Sequence, residues 1–371
     1  MDKIKVCHIT TVHPNRYDVR IFEKECSFLA GHGFDVTLIV NDEMKNEVKN
    51  GVKIISLRKK TKNRMDRMFR LSRVAYKKAL QVDADIYHIH DPELMGVGKK
   101  LRKRNKKVVY DSHEFTAMQI MTKDYIPTFL RKTISKMYRG YESRTINKLS
   151  GLVYPCTCKG RDYFFDINVP KVIIGNFPSK SIVDVDRKNE KSEEFKVCYV
   201  GSVTETRGVY EMVRAAHLAD KKFVLIGDVS VDIRNRLQEM PEASNIELLG
   251  QLPHDEALEE VAKCSVGLSL LQKTGQYSYL DNLPTKLYEY MSLGIPTVIS
   301  DFPYYKKTLK KYKFGIAVDP SDEQQIADAI NKIYDDPKLA EEMVAEGQRA
   351  ILSEMNWESD GEKLVDFYNR I

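Results

Sequence analysis

The sequence predicts an α/β protein built from two doubly wound domains, each a largely parallel sheet with helices on both faces. Apolar, strand-like runs alternate with amphipathic helical stretches along nearly the whole chain. The alternation stops at a polar, charged stretch, residues 179–195, and then starts again. The length of 371 residues also exceeds the roughly 100–200 residues of a usual single domain.

We interpret seven apolar runs in the first half as strands. They are Ile4–Ile9, Val36–Val40, Val52–Ile55, Ile86–His88, Val108–Tyr110, Leu152–Tyr154 and Val172–Ile174. Six more follow in the second half. They are Val197–Val200, Phe223–Ile226, Ile246–Leu248, Val266–Leu270, Pro296–Ile299 and Gly315–Val318. We therefore predict a first domain at residues 1–177, a linker at 178–195 and a second domain at 196–354.

Composition limits the class of protein. Hydrophobic residues make up 42% of the chain, which is enough for ordinary cores. No stretch approaches the roughly eighteen apolar residues of a membrane span, and the first residues do not resemble a signal peptide, so we expect a cytoplasmic protein. The six cysteines are scattered, as is usual for reduced thiols. The net charge of only +6 and the lack of a recognised reading motif argue against nucleic acid as a partner.

Three segments of the first half are rich in Lys and Arg, at residues 58–78, 99–107 and 123–139. In the first segment, Arg64, Arg67 and Arg70 alternate with large apolar residues such as Met65 and Phe69. Basic and apolar residues mixed at helical spacing suit a surface that rests on anionic lipid. They equally suit solvated helix faces that keep a domain soluble. The sequence leaves both interpretations open.

Polar side chains follow three strands of the first predicted sheet, at the point where each strand ends. The carboxyl ends of parallel strands share one edge, where ligands gather. The candidate residues at this edge are His13, Asp18, His88, His90, Asp91, Asp111, His113 and Glu114. For group transfer we favour His90, which lies nearer the loop than His88. We take His88 and His90 to face opposite sides of the strand, so we do not expect them to share a metal ion.

In the second half, glycines follow the strands at the corresponding edge. Gly201 and Ser202 follow the first strand, and Arg207 precedes the next helix; such a turn with a cation can hold a diphosphate. Gly227 and the Leu249–Gly250 pair mark two further turns, which taken singly are ordinary features of the fold. Together with Arg207, Lys286 and Glu289 they outline a nucleotide-sized site, so we predict Gly227, Leu249 and Leu287 as further donor-binding residues. The chain has no GxxxxGK[ST] loop and no GxGxxG fingerprint, so P-loop hydrolysis of ATP or GTP is not expected.

The stretch from Asp281 to Asp301 combines a loop, a predicted helix at Thr285–Leu293 and a buried strand. We expect the Thr285 hydroxyl to cap this helix and Leu287 to face the core. Lys286 and Glu289 lie near the helix start, where free amides favour an anion. Glu289 can accept hydrogen bonds from a pair of sugar hydroxyls. The alternative interpretation is an ordinary Lys–Glu pair on the protein surface.

These motifs resemble those of the retaining GT-B-fold glycosyltransferases of family 4, in particular bacterial members that build capsule, exopolysaccharide or O-antigen. The resemblance covers nearly the whole chain. The matching segments are DVRIFEKECSFLAGHGFDVTLI, DIYHIHDPEL, VVYDSHE, YVGSVTETRG, LLG at Leu248–Gly250, PTKLYEYMSLGIPTVISD and NWE at Asn356–Glu358. The resemblance implies two domains that face each other across a cleft, with a C-terminal helix at residues 355–371 that crosses back to the first domain.

The resemblance also implies roles for particular residues. In the family, two acidic residues eight apart handle the donor, and here Asp281 aligns with the one near the transferred sugar and Glu289 with the one on the ribose. Ser202 stands where many members have an arginine, whereas Arg207 matches a second cation. We predict that Lys286 replaces the missing cation at the phosphates. His90 matches the family histidine that contacts the donor sugar.

The implied reaction moves a hexosyl group from a UDP- or GDP-sugar to a hydroxyl of a glycan or a polyprenyl-diphosphate-linked acceptor, with retention and without a metal or other cofactor. The acceptor side would comprise His13, Asp18, Asp91, His113 and Glu114. An anionic membrane surface is a further expected partner, which would make the protein peripheral on the inner face of the plasma membrane. A sugar-nucleotide epimerase or phosphorylase on the same fold, and a non-catalytic membrane-associated sugar-binding protein, remain as alternatives.

Overall fold

A computed structural model describes residues 3–13, 15–123, 125–183, 194–274 and 277–371. Most of the predicted linker therefore lies outside the described residues. The chain divides into two compact units. The first comprises residues 1–157, 161–176 and 358–371, and the second comprises residues 158–160 and 177–357. The sequence did not indicate that Cys158–Gly160 belongs with the second unit.

The first unit contains an eight-stranded sheet with the order β3-β4-β2-β1-β5-β6-β7-β8. Its strands are β1 Lys5–Ile9, β2 Asp35–Val40, β3 Glu47–Lys49, β4 Val52–Ser56, β5 Ile86–Ile89, β6 Lys107–Asp111, β7 Gly151–Tyr154 and β8 Lys171–Ile173. All neighbouring pairs are parallel except β3 and β4. The sequence prediction missed β3 because two of its three residues are exposed, which leaves no buried apolar run to recognise.

Helices cover both faces of this sheet and return to it at the end of the chain. They are α1 Ser27–Gly31, α2 Arg64–Asp66, α3 Ser72–Val82, α4 Met95–Arg102, α5 Thr116–Ile120, α6 Thr128–Ile146 and the last helix of the chain, α14 Trp357–Arg370. A π-helical segment, Val19–Cys26, precedes α1, and Asp18 caps it by accepting from the amides of Arg20 and Ile21. Residues 358–370 of α14 belong to the first unit.

The second unit contains a six-stranded, fully parallel sheet with the order β11-β10-β9-β12-β13-β14. Its strands are β9 Lys196–Val200, β10 Lys222–Ile226, β11 Ile246–Gly250, β12 Val266–Ser269, β13 Thr297–Ser300 and β14 Gly315–Val318. Its helices are α7 Val209–Leu218, α8 Val231–Glu239, α9 His254–Ala262, α10 Thr285–Ser292, α11 Pro303–Lys311, α12 Glu323–Asp335 and α13 Pro337–Ser353. Two buried apolar clusters pack in this unit. The predicted doubly wound α/β fold is confirmed.

Helix α10 differs from the prediction at its start. Pro284 occupies the capping position, Thr285 is the first helical residue, and no side chain caps the helix. The predicted Thr285 cap is therefore wrong: the residue lies one position too late to accept the first amides. Leu287, Tyr290 and Met291 are buried as expected, and the full burial of Leu287 alone stabilises the unit by roughly 2 kcal/mol.

Candidate active site

Three glycine turns lie side by side at the carboxyl edge of the second sheet. They follow β9, β10 and β11, which are neighbours in the strand order. Gly201 and Gly227 have φ angles of 121° and 151°, where a side chain is strained. A Cβ at Gly227 would lie 1.9 Å from the Gly201 carbonyl oxygen. The backbones of the two turns therefore approach each other too closely for a side chain at Gly227.

Lys286 is buried against the first of these turns. Its side chain on α10 is only 6% exposed. The ammonium nitrogen lies 3.7 Å from the centre of the Tyr199 ring and 3.3 Å from the position that a Cβ at Gly201 would occupy. The interpretation of Lys286 as half of a surface ion pair is wrong, because the start of α10 packs beneath the β9 turn.

Arg207 adds a second positive charge at this place. It ends a short 3₁₀ turn, Glu205–Arg207, and Gly208 follows with a φ of 78° before α7 begins. Burial, and then the nearby Arg207 charge, hold the pKa of Lys286 well below its usual value, while Glu289 acts in the opposite direction. The charged form of Lys286 is therefore disfavoured beside Arg207, and an anion bound between the two side chains would favour it.

Ser202 and Tyr199 complete the turn after β9. The Ser202 side chain is exposed, and its carbonyl oxygen accepts a hydrogen bond of 2.8 Å from the Tyr199 hydroxyl. Burial raises the pKa of Tyr199 to about 12, although Arg207 opposes this. Tyr199 therefore stays neutral at physiological pH and offers Lys286 the electron-rich face of its ring.

Glu289 lies one turn along α10 from Lys286 but has a different partner. Its Oε1 accepts from His254 Nε2 at 3.1 Å, and its side chain is 21% exposed. The hydrogen bond with Glu289 raises the pKa of His254. His254, the first residue of α9, was not among the predicted site residues. Leu249, which the sequence predicts as a donor-binding residue, is half-buried on β11.

Asp281 is held by the segment that the second unit takes from the middle of the chain. Its Oδ2 accepts from the Gly160 amide at 2.6 Å. Cys158 pairs with Leu280 in an antiparallel bridge, and the Lys159 amide donates to the Tyr279 carbonyl. One oxygen of Asp281 thus binds the backbone of this segment, and contact of the carboxylate with a sugar stays a prediction.

In the first unit, the predicted edge residues separate into exposed and buried groups. His13 and Asp18 are partly exposed, and His13 Nδ1 lies 3.6 Å from Asp18 Oδ2. The His113 side chain is 20% exposed and its ring centre lies 5.6 Å from that of His13. Glu114 is exposed.

Asp91 belongs to the buried group. It is 2% exposed, and its carboxylate accepts from the amides and hydroxyls of residues 10–12. It therefore holds the loop after β1 in place rather than facing a ligand.

The expectation that His88 and His90 face opposite ways is wrong. Residues two apart on a strand share a face, and the two rings stack with centres 4.6 Å apart and an angle of 9° between their planes. His90 is also buried, at 2% exposure. Its Nε2 and Nδ1 lie 2.9 Å from His8 Nδ1 and His113 Nε2, respectively.

A buried group of charged residues surrounds these histidines. Arg20 Nη2 lies 3.1 Å from Asp111 Oδ2, and Arg20 Nε lies 3.1 Å from Glu25 Oε1. Burial opposes ionisation of Asp111, yet the Arg20 charge holds its pKa well below the usual range. Burial, and then the Asp111 charge, raise the pKa of Glu25. The group therefore has one permanent ion pair and one carboxyl group that favours its neutral form.

Donor atoms of Glu25, His88, His90 and Asp111 all lie within 4.8 Å of one another, which is close enough to surround a metal ion. The ring orientations oppose such a site. The two stacked imidazoles direct their lone pairs in parallel planes and do not converge on one ion, and Arg20 already contacts both carboxyl groups. These four residues fit a hydrogen-bonded array better than a metal centre.

Sequence reasoning missed four residues around the two predicted edges: His8, Glu25, His254 and Tyr368. His8 had a recognisable signal, because it precedes Thr10 by two residues on β1 and so shares a face with the strand end. Glu25, His254 and Tyr368 reach their positions only through helix packing, which no local pattern reveals.

Comparison with known proteins was consistent with this geometry. The family described as "Glycosyl transferases group 1" matches residues 182–350. The family described as "Glycosyltransferase Family 4" matches residues 21–173. Among curated proteins, the alpha-D-kanosaminyltransferase of Streptomyces kanamyceticus is 25% identical over 182 residues, or 47% of this chain. The match spans only 45% of the length of that relative.

Solved structures resemble the chain over its full length. Sucrose-phosphate synthase from Thermosynechococcus elongatus has a TM-score of 0.78 at 15% identity and covers 99% of both chains. A glycosyltransferase from Rickettsia africae has a TM-score of 0.72 at 12% identity, over 100% of this chain and 99% of that one. Anabaena HepE, in complex with UDP and glucose, has a TM-score of 0.70 at 10% identity, over 99% and 100%.

Two parallel-sheet α/β domains and these structural relatives identify the fold as GT-B. The two family matches together extend from residue 21 to residue 350 with a short gap between them. The chain therefore belongs to the GT-B glycosyltransferases of group 1 and family 4.

Proposed function

We propose that the protein transfers a sugar from a nucleotide diphosphate sugar to a hydroxyl group, with retention at the anomeric carbon. The acceptor in this proposal is a glycan or a polyprenyl-diphosphate-linked sugar used in cell-surface polysaccharide synthesis. Family membership and the UDP-bound state of Anabaena HepE support a nucleotide donor.

The observation that carries the proposal is the pairing of Lys286 with Arg207 at the glycine turns. The Lys286 ammonium lies against the Tyr199 ring, and burial and the Arg207 charge disfavour its charged form more than Glu289 favours it, so the site favours a further anion. A diphosphate supplies that anion, and the turns after β9 and β10 allow it to approach the backbone closely. Binding would return the pKa of Lys286 toward its ordinary value.

Glu289 is the proposed ribose ligand. It lies on α10 three residues after Lys286, and a carboxylate can accept hydrogen bonds from two adjacent hydroxyls. Its present partner, His254, must then release it or share it. Asp281 is the proposed contact to the transferred sugar, and His90 is proposed to act through the partly exposed His113, to which its Nδ1 is hydrogen-bonded.

The proposed chemistry needs no separate protein base. The acceptor oxygen forms its bond to the anomeric carbon on the face from which the diphosphate departs, and a leaving phosphate oxygen takes the acceptor proton. Arg207 and Lys286 stabilise the negative charge that grows on that phosphate. Because two cations are available for this charge, we propose that transfer proceeds without a divalent ion, and activity that survives chelation by EDTA would support this.

The decisive experiment is an activity screen of UDP-, GDP- and ADP-sugars against polyprenyl-diphosphate sugars, preceded by calorimetry with the three free nucleotides. We expect one nucleoside diphosphate to bind and its sugar to be transferred with retention, as read from the anomeric proton coupling of the product. Absence of binding by all three nucleotides would refute the proposal. Donor turnover that leaves only a rearranged sugar nucleotide would indicate an epimerase instead.

We further propose that one surface of the first unit contacts an anionic membrane that holds the acceptor. In the part of the chain that the structure describes, no helix has the length and apolar character needed to cross a bilayer. Several large apolar side chains are nevertheless exposed beside basic residues: Met65, Phe69, Tyr125, Phe129 and Met137. A hydrogen bond from Arg64 to the Tyr125 hydroxyl brings the two segments together.

A further inference from the structure

Six side chains of the first unit form a closed series of polar contacts that begins and ends at Asp111. His113 Nε2 lies 3.3 Å from Asp111 Oδ2 and 2.9 Å from His90 Nδ1. From there the series continues to His8 and to the Tyr368 hydroxyl on α14, at 2.9 and 3.3 Å. Tyr368 then hydrogen-bonds His88 Nδ1, and His88 Nε2 faces Asp111 Oδ2 at 3.6 Å.

The buried imidazoles of this series are neutral. Burial is the main cause that lowers the pKa of His8, His88 and His90 below the usual value. A neutral imidazole carries one N–H and one bare nitrogen, so a ring with both nitrogens engaged must donate on one side and accept on the other. The protons of the hydrogen bonds that run from His113 through His90, His8 and Tyr368 to His88 must therefore all point the same way, in one of two directions.

The charge on Asp111 selects the direction. If every imidazole carries its proton on Nε2, both His113 and His88 present an N–H to the carboxylate, and the Tyr368 hydroxyl donates to His88 Nδ1. In the opposite arrangement, bare nitrogens of His113 and His88 face the same anionic oxygen at 3.3 and 3.6 Å. His90 Nδ1, also 3.6 Å from that oxygen, acts the other way, so two bare nitrogens are set against one. Arg20 keeps that oxygen ionised from 3.1 Å, so the second arrangement is repulsive.

We propose that Asp111 and Tyr368 are positioning residues that fix His113 as the Nε2–H tautomer and so present a bare Nδ1 at the exposed edge of the first sheet. No hydrogen bond to this Nδ1 comes from the described residues, and His113 is the one partly exposed member of the series. His113 Nδ1 then accepts a hydrogen bond from a hydroxyl group but cannot donate one. That a sugar hydroxyl is the donor rests on the proposed function; the tautomer itself does not.

The wild-type tautomer can be measured directly. In the full chain labelled with ¹⁵N at its eight histidines, protonated and bare ring nitrogens give separate NMR signals, assigned by single His→Gln substitutions. Above pH 7 we expect His8, His88, His90 and His113 each to be protonated on Nε2. A proton on His113 Nδ1, or an equal mixture of its tautomers, would overturn the proposal whatever the reaction proves to be.

A single hydroxyl tests the role of Tyr368. In Tyr368→Phe the His8 Nε2–H loses its acceptor and His88 is no longer linked to His8. Reversal of the protons on His8, His90 and His113 alone then leaves no unpaired N–H and competes with the preference set by Asp111, so His113 should show both tautomers. Tyr87→Phe is the matched control, because it removes a buried hydroxyl on β5 that contacts only the backbone of Ala79 and Ala84. A single Nε2–H form of His113 in Tyr368→Phe would refute the proposed role of Tyr368 in fixing the tautomer.

Activity provides the second measurement, once a donor is known. We expect Tyr368→Phe to lower kcat/KM about tenfold, as for the loss of one hydrogen bond, with nucleotide affinity unchanged. Tyr87→Phe should leave kcat/KM within about twofold. Failure of the proposed function would appear as absent activity in the wild type, whereas failure of this inference would appear in the tautomers alone.

Discussion

The Lys286 ammonium group lies over the ring of Tyr199, 3.7 Å from its centre, and is almost completely buried. The ring compensates only part of the cost of removing the charge from water. Because burial and the nearby Arg207 charge outweigh the opposing Glu289 charge, the site is electrostatically incomplete without a further anion. It is this incompleteness that separates Lys286 from an ordinary helix-surface lysine.

Replacement of Lys286 by methionine should weaken binding of the nucleoside diphosphate. A charge-assisted hydrogen bond contributes about 1.5–3 kcal/mol, so we expect Kd to rise by roughly 10- to 100-fold in calorimetry. Lys263→Met is the control, since that lysine pairs with Glu260 on the surface. If Arg207→Ala abolishes binding while Lys286→Met leaves it unchanged, Lys286 does not replace the missing cation.

Nucleotide affinity should depend on pH through His254. Its pKa is raised by the hydrogen bond with Glu289, so the pair stabilises the fold below the ordinary His pKa of about 6.5 and this contribution is lost as pH rises through the raised value. Glu289 is then free to bind ribose. We expect deprotonation of His254 to lower the Kd for the nucleotide, and this contribution to vanish in His254→Gln, whereas the opposite contribution from deprotonation of Lys286 remains. An unchanged pH profile in that variant would contradict the pairing.

The first unit should lose stability in mild acid. His8, His88 and His90 have lowered pKa values, so the unfolded chain binds three more protons there as pH falls below about 6.5. Glu25, with its raised pKa, offsets one of them. The net difference of about two protons corresponds to a loss on the order of 3 kcal/mol per pH unit. Urea unfolding at pH 7, 6 and 5 measures this loss.

The exposed His32 provides the control for that experiment. Its ring lies at the surface beside Glu362, so His32→Gln should leave the slope of stability against pH unchanged. A free energy of unfolding that stays constant from pH 7 to pH 5 would show that the buried histidines do not resist protonation.

Membrane contact should depend on apolar side chains more than on the arginines of the same segment. Arg67 pairs with Glu93, and Arg70 pairs with Asp66, so much of the local charge is already neutralised. We expect Phe69→Ser combined with Phe129→Ser to reduce sedimentation with phosphatidylglycerol vesicles at least fivefold. Each aromatic side chain that inserts into the bilayer contributes roughly 2 kcal/mol to binding. The control is Val48→Ser, an exposed residue on β3.

Two results would contradict the proposed membrane contact of this surface. Sedimentation of the double variant equal to that of the wild type would place the contact elsewhere. Absence of sedimentation by the wild type would leave the basic segments as solvated helix faces, the alternative that the sequence kept open. Neutral phosphatidylcholine vesicles serve to separate apolar insertion from attraction to the lipid charge.

Local patterns predicted much of the fold but only part of the candidate site. The strand ends that carry His90, Gly201 and Gly227 follow from apolar runs that stop at glycine or polar residues, and these lie at the strand ends as predicted. The burial of Lys286 and the pairing of Glu289 with His254 do not follow in the same way. They depend on how α9 and α10 pack against the sheet, over separations of many residues.

The sequence by itself determined the class of fold, because the alternation of strands and helices, and the order in which they bury apolar faces, is a local property of the chain. It also determined which residues stand at the strand ends. Which of them are exposed depends on tertiary packing: His90 is buried between His8 and His113, whereas the His113 side chain is partly exposed. Tertiary packing likewise turned Lys286 from one of many lysines into a buried cation beside Arg207, since the energy of a charge depends on its surroundings and not on its position in sequence.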